Sequence, residues 1–452
     1  MGEREVDVVV IGAGAPGEVI AGRLGEAGVD VAIVEERLVG GECSFYACMP
    51  SKALLRPGEL AAETRRVPGV TTGELDVRAV LARRDEVVHD LDDSSQLPWL
   101  EDRGVTLVRG HGRLDGERRV RVGDDVLTAR RAVVVATGSS ATIPPVEGLA
   151  AARPWTNVEA TTAEHVPPRL FVLGGGVVGV EMAQAWSSLG STVTLVHRGE
   201  RLIEREEPFA SEQVATALRE AGVDVRLETS VAAVSRNGAV RVALEGGAPV
   251  EADEILVSIG RTPRTADIGL ETVGLEPGTH VEVDESLRVP GHERWLYAVG
   301  DVNGRALLTH MGKYQARLAA DAILGKDVRL RSDGGASPRV VFTDPQVGAV
   351  GLTLAAAQEA GLPVRTVEVE TSGNAGGSFV GRGAPGTARL VVDEERGLVV
   401  GATITGAEVA EALHAATIAV IGEVPLDDLW HAVPSFPTRS ELWLRLLEAY
   451  GL

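Results

Sequence analysis

Cys43 and Cys48 are the only cysteines in a chain of 452 residues, and both fall in the stretch GGECSFYACMPSK at 40–52. A lone close pair of thiols can cycle as a redox disulfide, ligate a metal or sit inert. Zinc fits poorly, because two cysteines with no nearby histidine leave a tetrahedral site half built. On one regular helix, residues five apart point about 140° away from each other. A disulfide needs Cα atoms about 5–6 Å apart. The intervening SFYA must therefore bend, which predicts a loop feeding a helix that begins near Met49–Pro50. Proline suits a first helical turn, since it has no N–H to leave unpaired. Cys48 then stands at the positive end of a helix beside Lys52, and both conditions favour a thiolate. Lysine occurs only three times, at Lys52, Lys313 and Lys326, which makes Lys52 beside the pair a less probable accident.

The elements around the pair are duplicated. Residues 8–36 read VVVIGAGAPGEVIAGRLGEAGVDVAIVEE, and residues 170–198 read LFVLGGGVVGVEMAQAWSSLGSTVTLVHR. Each is a short apolar strand, a G-x-G-x-x-G turn, a helical stretch and a second β-branched strand. Gly12, Gly14 and Gly17 match Gly174, Gly176 and Gly179 with one constant offset. One such triplet is a weak signal, but two inside complete βαβ units predict two dinucleotide-binding domains. The first glycine allows the tight turn, the second admits the pyrophosphate, and the third lets helix pack on strand, with the helix N-terminus facing the anion.

The two copies part at the end of the second strand. Glu35, followed by Glu36, offers a carboxylate to the ribose hydroxyls of an adenosine. The aligned position in the second copy is His197, followed by Arg198 and by Arg201, so cations stand where a 2′-phosphate would lie. This predicts NADPH in preference to NADH, the alternative being arginines on a solvated loop. Two unlike dinucleotide sites in one chain point to FAD in the first and a nicotinamide in the second.

Further strands ending in glycine turns follow at 131–148, 254–265 and 295–304, then a helix containing LLTHMGKYQARLAADAILG. A Gly- and Ser-rich connector at 326–338 precedes alternating strands and helices up to Leu452. The expected fold is α/β: two Rossmann-like dinucleotide-binding domains plus a C-terminal α+β dimerisation domain. The boundaries are residues 1–147 for the first part of the FAD domain, 148–264 for the NAD(P)H domain, 265–335 for the second part of the FAD domain, and 336–452 for the interface domain. Hydrophobic content of 44% and a charged fraction of 24% are ordinary for a globular protein. A net charge of −21 argues against a nucleic-acid partner, which needs clustered Lys and Arg. The N-terminus shows no basic segment leading into a long apolar one, and no apolar run reaches the ~18–20 residues of a membrane helix. A cytoplasmic, reducing setting is the expectation, where a cysteine pair is more often reactive than a structural staple.

With these motifs in order, the chain resembles the class I pyridine nucleotide-disulfide oxidoreductases, the group of dihydrolipoamide dehydrogenase, glutathione reductase and mercuric reductase. The resemblance runs nearly end to end: the first fingerprint, G-G-x-C-x4-C-x-P-S-K at 40–52, A-T-G at 136–138, the second fingerprint, G-R-x-P at 260–263, G-D at 300–301 and F-T-D-P-Q-V-G-A-V-G-L-T at 342–353. It implies FAD held by Gly12, Gly14, Gly17, Glu35, Glu36, Gly41, Gly112, Thr137, Gly138 and Asp301, with Leu308, Thr309 and His310 beside the flavin. Lys52 would lie near the flavin N5, paired with Glu181. NADPH would use Gly174, Gly176, Gly179, His197, Arg198 and Gly260. By the same likeness Cys43 and Cys48 form the redox disulfide. Cys48 would be the thiolate touching the flavin and Cys43 the thiol that meets substrate. A homodimer would complete each active site in trans around a small-molecule substrate.

One position departs from the pattern. The group's C-terminal motif is H-P-T-x-x-E, in which the partner's His moves protons at the exchange thiol and the Glu holds it. This chain reads FPTRSE at 436–441, so Phe436 replaces the His while Glu441 keeps its place. A phenyl ring carries no proton, and a positioned acid/base is worth about 10²–10⁴ in rate. His431 or Glu441 could take over, or the substrate could need no proton, as a quinone or a low-pKa thiol would not. A proton-excluding, C–S bond-cleaving member of the group also has Phe there, but it replaces the Glu as well. Mercuric reductase has Tyr there and carries a C-terminal cysteine pair that this sequence lacks. A low-turnover redox sensor is the non-enzymatic alternative.

Overall fold

The computed structural model describes residues 2–384 and 386–452. The chain divides into two compact units. The first comprises Met1–Pro50, Asp85–Ala141 and Arg261–Gly334; the second comprises Ser51–Arg84, Thr142–Gly260 and Gly335–Leu452.

The first unit is built on a parallel sheet. Strand β1 (Glu3–Ile11) leads through helix α1 (Ala15–Glu26) into strand β2 (Val31–Glu35), the β1/β2 register matching Val8 with Val31 and Ile11 with Val34. Strand Val105–Arg109 continues the sheet beyond β2, and strand Asp125–Val135 pairs β1 on its other edge. Leu296–Ala298 then joins Asp125–Val135 in parallel, which brings the Gly300–Asp301 turn to the sheet's carboxyl edge. β1 is covered on both faces: Val8 and Val10 pack in one cluster with Ile20 and Leu24 of α1, Val6 and Val9 in another. That explains the apolar run of residues 8–11 at its carboxyl end. Each fully buried valine or leucine contributes on the order of 1.5–3 kcal/mol relative to exposure.

In the second unit the duplicated βαβ copy recurs. Strands Arg169–Leu173 and Thr192–Val196 flank helix Val177–Ser188 in a four-stranded parallel sheet completed by Asp224–Arg226 and Glu254–Val257. The last part of the chain forms a five-stranded antiparallel sheet in the order Arg339–Val341, Gln346–Gly351, Leu398–Gly406, Thr387–Asp393, Val364–Glu370. Helices Val409–Ile421 and Glu441–Tyr450 supply Leu413, Ala416, Leu446 and Leu447 to its core. Among the described residues, no helix is long and apolar enough to cross a membrane.

The cysteine stretch folds differently from the predicted loop. Gly41–Phe45 forms a short helix of its own, α2, and helix α3 begins at Cys48 and runs to Arg66. The bend falls at Tyr46, whose φ of −135° and ψ of 5° break the helical path. A short helix joined at a corner to a long one brings the thiols together as well as a loop would.

Candidate functional site

The thiols lie side by side. Cys43, on α2, and Cys48, at the start of α3, are in side-chain hydrogen-bond contact, and no disulfide joins them. Thr309, at the start of the helix Thr309–Ile323, places its Oγ1 3.3 Å from Cys48 Sγ and also hydrogen-bonds Cys43. The hydrogen bond with Cys48, burial and the Cys48 charge push the Cys43 thiol up; Thr309 and Lys313 pull it back down.

Beside Cys43 the first unit has a cavity of about 190 Å³. Its walls include Gly12, Gly14, Glu35, Glu36, Gly41 and Gly112 from the nucleotide fold. Thr137, Gly138, Asp301, Leu308 and Thr309 line it too, while His310 is exposed and not part of the wall. The cradle is steric. A Cβ on Gly12 would come 2.5 Å from the Ala136 carbonyl oxygen, and one on Gly17 would come 1.9 Å from that of Gly12. At Gly41 it would meet Gly14 Cα at 2.7 Å. Glu35 accepts from the Ala13 amide at 2.7 Å and the Arg37 amide at 2.8 Å, so its carboxylate is aimed along the glycine turn. Thr137 Oγ1 is buried without a hydrogen-bond partner, a group that a bound polar ligand would satisfy. Burial pushes the Asp301 carboxyl up, against the Ser139 hydroxyl that donates to it at 2.5 Å and the nearby Arg261 guanidinium. These residues fit a dinucleotide such as FAD, which when bound would supply hydride acceptance and electron transfer to sulfur.

Sequence reasoning missed part of this wall. Glu42 is gripped by Arg261 at 2.5 Å and Arg264 at 2.6 Å, and Arg261 also donates to Ser139 Oγ at 2.6 Å. The Arg-x-x-Arg spacing in GRTPRT was the available signal. Nothing in the sequence linked it to Glu42, more than two hundred residues away.

The second unit repeats the cradle. A Cβ on Gly174 would stand 2.6 Å from the Ser258 carbonyl oxygen, and one on Gly179 1.9 Å from that of Gly174. Gly176 caps the helix that follows, and Gly260, at φ +141°, ends the turn after Glu254–Val257. His197 takes the place of Glu35 atom for atom: its Nδ1 accepts from the Gly175 amide at 3.1 Å. Nε2 then carries the proton and is buried on the side of Glu204. Glu204 Oε1 lies 3.5 Å from that Nε2. Arg198 is exposed. Arg201 instead donates to the carbonyls of Glu204 and Glu206, both at 2.8 Å, so it holds its own loop together. Elsewhere in this unit, Lys52 donates to Glu181 at 2.7 Å and sits over the Phe342 ring at 4.6 Å, while Glu181 also accepts the Phe342 amide at 2.9 Å.

At the C-terminal motif, Phe436 is 77% exposed. His431 ends the helix Leu426–Trp430 and is also exposed. Glu441 is buried and accepts the Gly376 amide at 3.3 Å. Within one chain these three do not converge on a catalytic group. Phe379, Ile418 and Val433, in the same part of the chain, are exposed as well.

Comparison with known proteins adds the following. A family profile described as "Pyridine nucleotide-disulphide oxidoreductase" matches residues 6–321, and its "dimerisation domain" companion matches 337–446. A mercuric reductase of Lysinibacillus sphaericus is 30% identical over 97% of this chain and 81% of its own length. A dihydrolipoyl dehydrogenase of Haloferax volcanii is 31% identical over 98% of this chain and 95% of its own. The solved structure of the HOCl-induced flavoprotein disulfide reductase RclA from Escherichia coli superposes with a TM-score of 0.87 at 25% identity, covering 98% of this chain and 99% of that one.

Proposed function

The chain belongs to the pyridine nucleotide-disulphide oxidoreductase family, and on that premise we propose that it passes electrons from NADPH through FAD to the Cys43–Cys48 pair and on to an organic disulfide. The family is FAD-dependent, draws on NAD(P)H and acts on sulfur groups. The observation that carries the rest of the reading is the thiol pair itself: two sulfurs in hydrogen-bond contact, one of them on the wall of the glycine-cradled cavity. The place of Cys48 at the start of α3 suits it to face the flavin and leaves Cys43 to meet substrate. NADPH is the proposed donor because no carboxylate stands at the ribose position and the exposed Arg198 offers a cation there. Glu36, Gly112, Leu308 and the other wall residues are proposed to hold FAD.

A homodimer is proposed from the dimerisation-domain match and from exposed Phe436, Val433, Phe379 and Ile418, whose apolar area a second copy would cover. A reducing, cytoplasmic setting is proposed as well, which the sparse cysteine usage supports.

The test is an anaerobic titration of the FAD-loaded protein with NADPH. Two electrons per subunit should produce a long-wavelength thiolate–flavin absorption band, and Cys48→Ser should lack it. A flavin bleached outright with both thiols still unavailable to alkylation would remove the redox pair from the reading.

A further inference from the structure

Arg198 begins a loop, residues 198–207, that folds back onto the second glycine turn. The Ile203 amide donates to the Gly175 carbonyl at 2.8 Å, and the Gly175 amide in turn donates to His197 at 3.1 Å. Leu202 is fully buried against the same turn, where a Cβ on Gly175 would come 2.5 Å from its Cδ2. This fold-back is strained. Ile203 sits at φ +42°, in the left-handed region that a β-branched residue very rarely adopts. Such a conformation persists only where the surroundings hold it.

The C-terminal sheet of the same unit supplies the hold. Glu206 and Glu207, both buried, end the loop where helix Pro208–Glu220 begins. Glu206 accepts from Arg339 at 2.7 Å, on strand Arg339–Val341. Glu207 accepts from Arg389 at 2.6 Å, on strand Thr387–Asp393, and from the Leu354 amide at 2.7 Å. Arg389 also lies over the Phe209 ring at 4.9 Å. Further along the helix, Gln213 donates to Thr387 at 2.9 Å and accepts from Thr405 at 2.6 Å. A carboxylate withdrawn from water needs a close counter-charge, and each of these two has a guanidinium. Both arginines lie within residues 337–446, the part that matches the dimerisation-domain profile. The loop is thus pinned to the glycine turn by its middle and to the C-terminal sheet by its end.

We propose that Arg339 and Arg389 are positioning residues for the nicotinamide nucleotide: through Glu206 and Glu207 they hold the 198–207 loop on the glycine turn and so set how tightly Arg198 reads a 2′-phosphate. The proposal rests on the NADPH reading above. Neither arginine touches the nucleotide. Each acts through a buried, charge-assisted hydrogen bond, whose short and directional geometry fixes the loop more firmly than apolar contact does. Released from the sheet, the loop relaxes the strain at Ile203 and carries Arg198 away from the ribose position. The adenosine end of the nucleotide then loses its cation, while the glycine turn, which grips the pyrophosphate, keeps its own sterics.

The test is calorimetric binding of NADP⁺ and of NAD⁺ to the FAD-loaded protein, two probes that differ by the 2′-phosphate alone. In the double variant Glu206→Gln, Glu207→Gln the Leu354 amide keeps its acceptor, and both guanidiniums lose their counter-charge. The Kd for NADP⁺ should rise about tenfold, the lower end of what one charge-assisted hydrogen bond contributes, while that for NAD⁺ moves by no more than about twofold. The limiting rate of flavin reduction at saturating NADPH should stay within about twofold of wild type, since the loop serves binding and not hydride transfer. Glu368→Gln takes the exposed partner from Arg389 without touching the loop, and both Kd values should stay as they are. If the double variant fails to fold, Arg389→Lys keeps the charge, gives up the planar fork, and should raise the NADP⁺ Kd about threefold by the same measurement. A folded variant whose NADP⁺ Kd is unmoved, or whose two Kd values rise together, overturns the proposal. NADP⁺ binding no tighter than NAD⁺ in the wild-type protein would instead overturn the NADPH reading beneath it.

Discussion

Removing the buried Glu181 carboxylate tests how the second unit holds the Lys52 ammonium. Glu181 is 4% exposed and serves two groups, the Lys52 ammonium at 2.7 Å and the Phe342 amide at 2.9 Å. Glu181→Ala strips both at once. Breaking a buried ion pair by removing one partner costs about 3–5 kcal/mol. Lys52 is 35% exposed and keeps the Phe342 ring at 4.6 Å, so water and the ring recover about half of that. The Phe342 amide left without an acceptor costs a further ~1–2 kcal/mol. The sum is about 3 kcal/mol, equivalent to a fall of ~6–12 °C in the melting transition of a unit this size. Glu181→Gln keeps an oxygen for the amide and loses only the charge, so its fall should be about half as large. Differential scanning calorimetry of the FAD-saturated protein reads both. A change below about 2 °C in Glu181→Ala, or equal falls in the two variants, would refute the assignment of stability to this carboxylate.

Gly17→Ala would put a methyl carbon 1.9 Å from the Gly12 carbonyl oxygen, a backbone atom that cannot swing aside. The purified variant should therefore emerge without FAD, seen as loss of absorbance near 450 nm, and retention of flavin would contradict the cradle. Arg198→Ala should lower kcat/KM for NADPH about 10–100-fold, the worth of one charge-assisted hydrogen bond, and leave NADH nearly unchanged. A parallel loss with both nucleotides would show that Arg198 does not read the 2′-position.

Much of the fold was legible because its signals are local. The two glycine triplets encode positive φ and close backbone approach within a few residues of themselves, and the structure shows the same clash geometry at Gly17 and Gly179. The unbroken apolar run of residues 8–11 likewise reports a strand buried on both faces. The cysteine bend was also foreseeable, because helical geometry forbids residues five apart from meeting. What failed to show was the company those residues keep. Arg201 looked like a nucleotide ligand and holds its own loop.

The sequence by itself thus determined that two dinucleotide folds frame one pair of thiols, since turn sterics and burial patterns act over distances that contiguous residues span. Only the tertiary structure decided which charges face those thiols. Thr309 lies 261 residues from Cys48 in the chain, and Lys313 acts on Cys43 from the same distant helix. Coulombic and hydrogen-bond energies depend on separation in space, and no spacing along the chain records that.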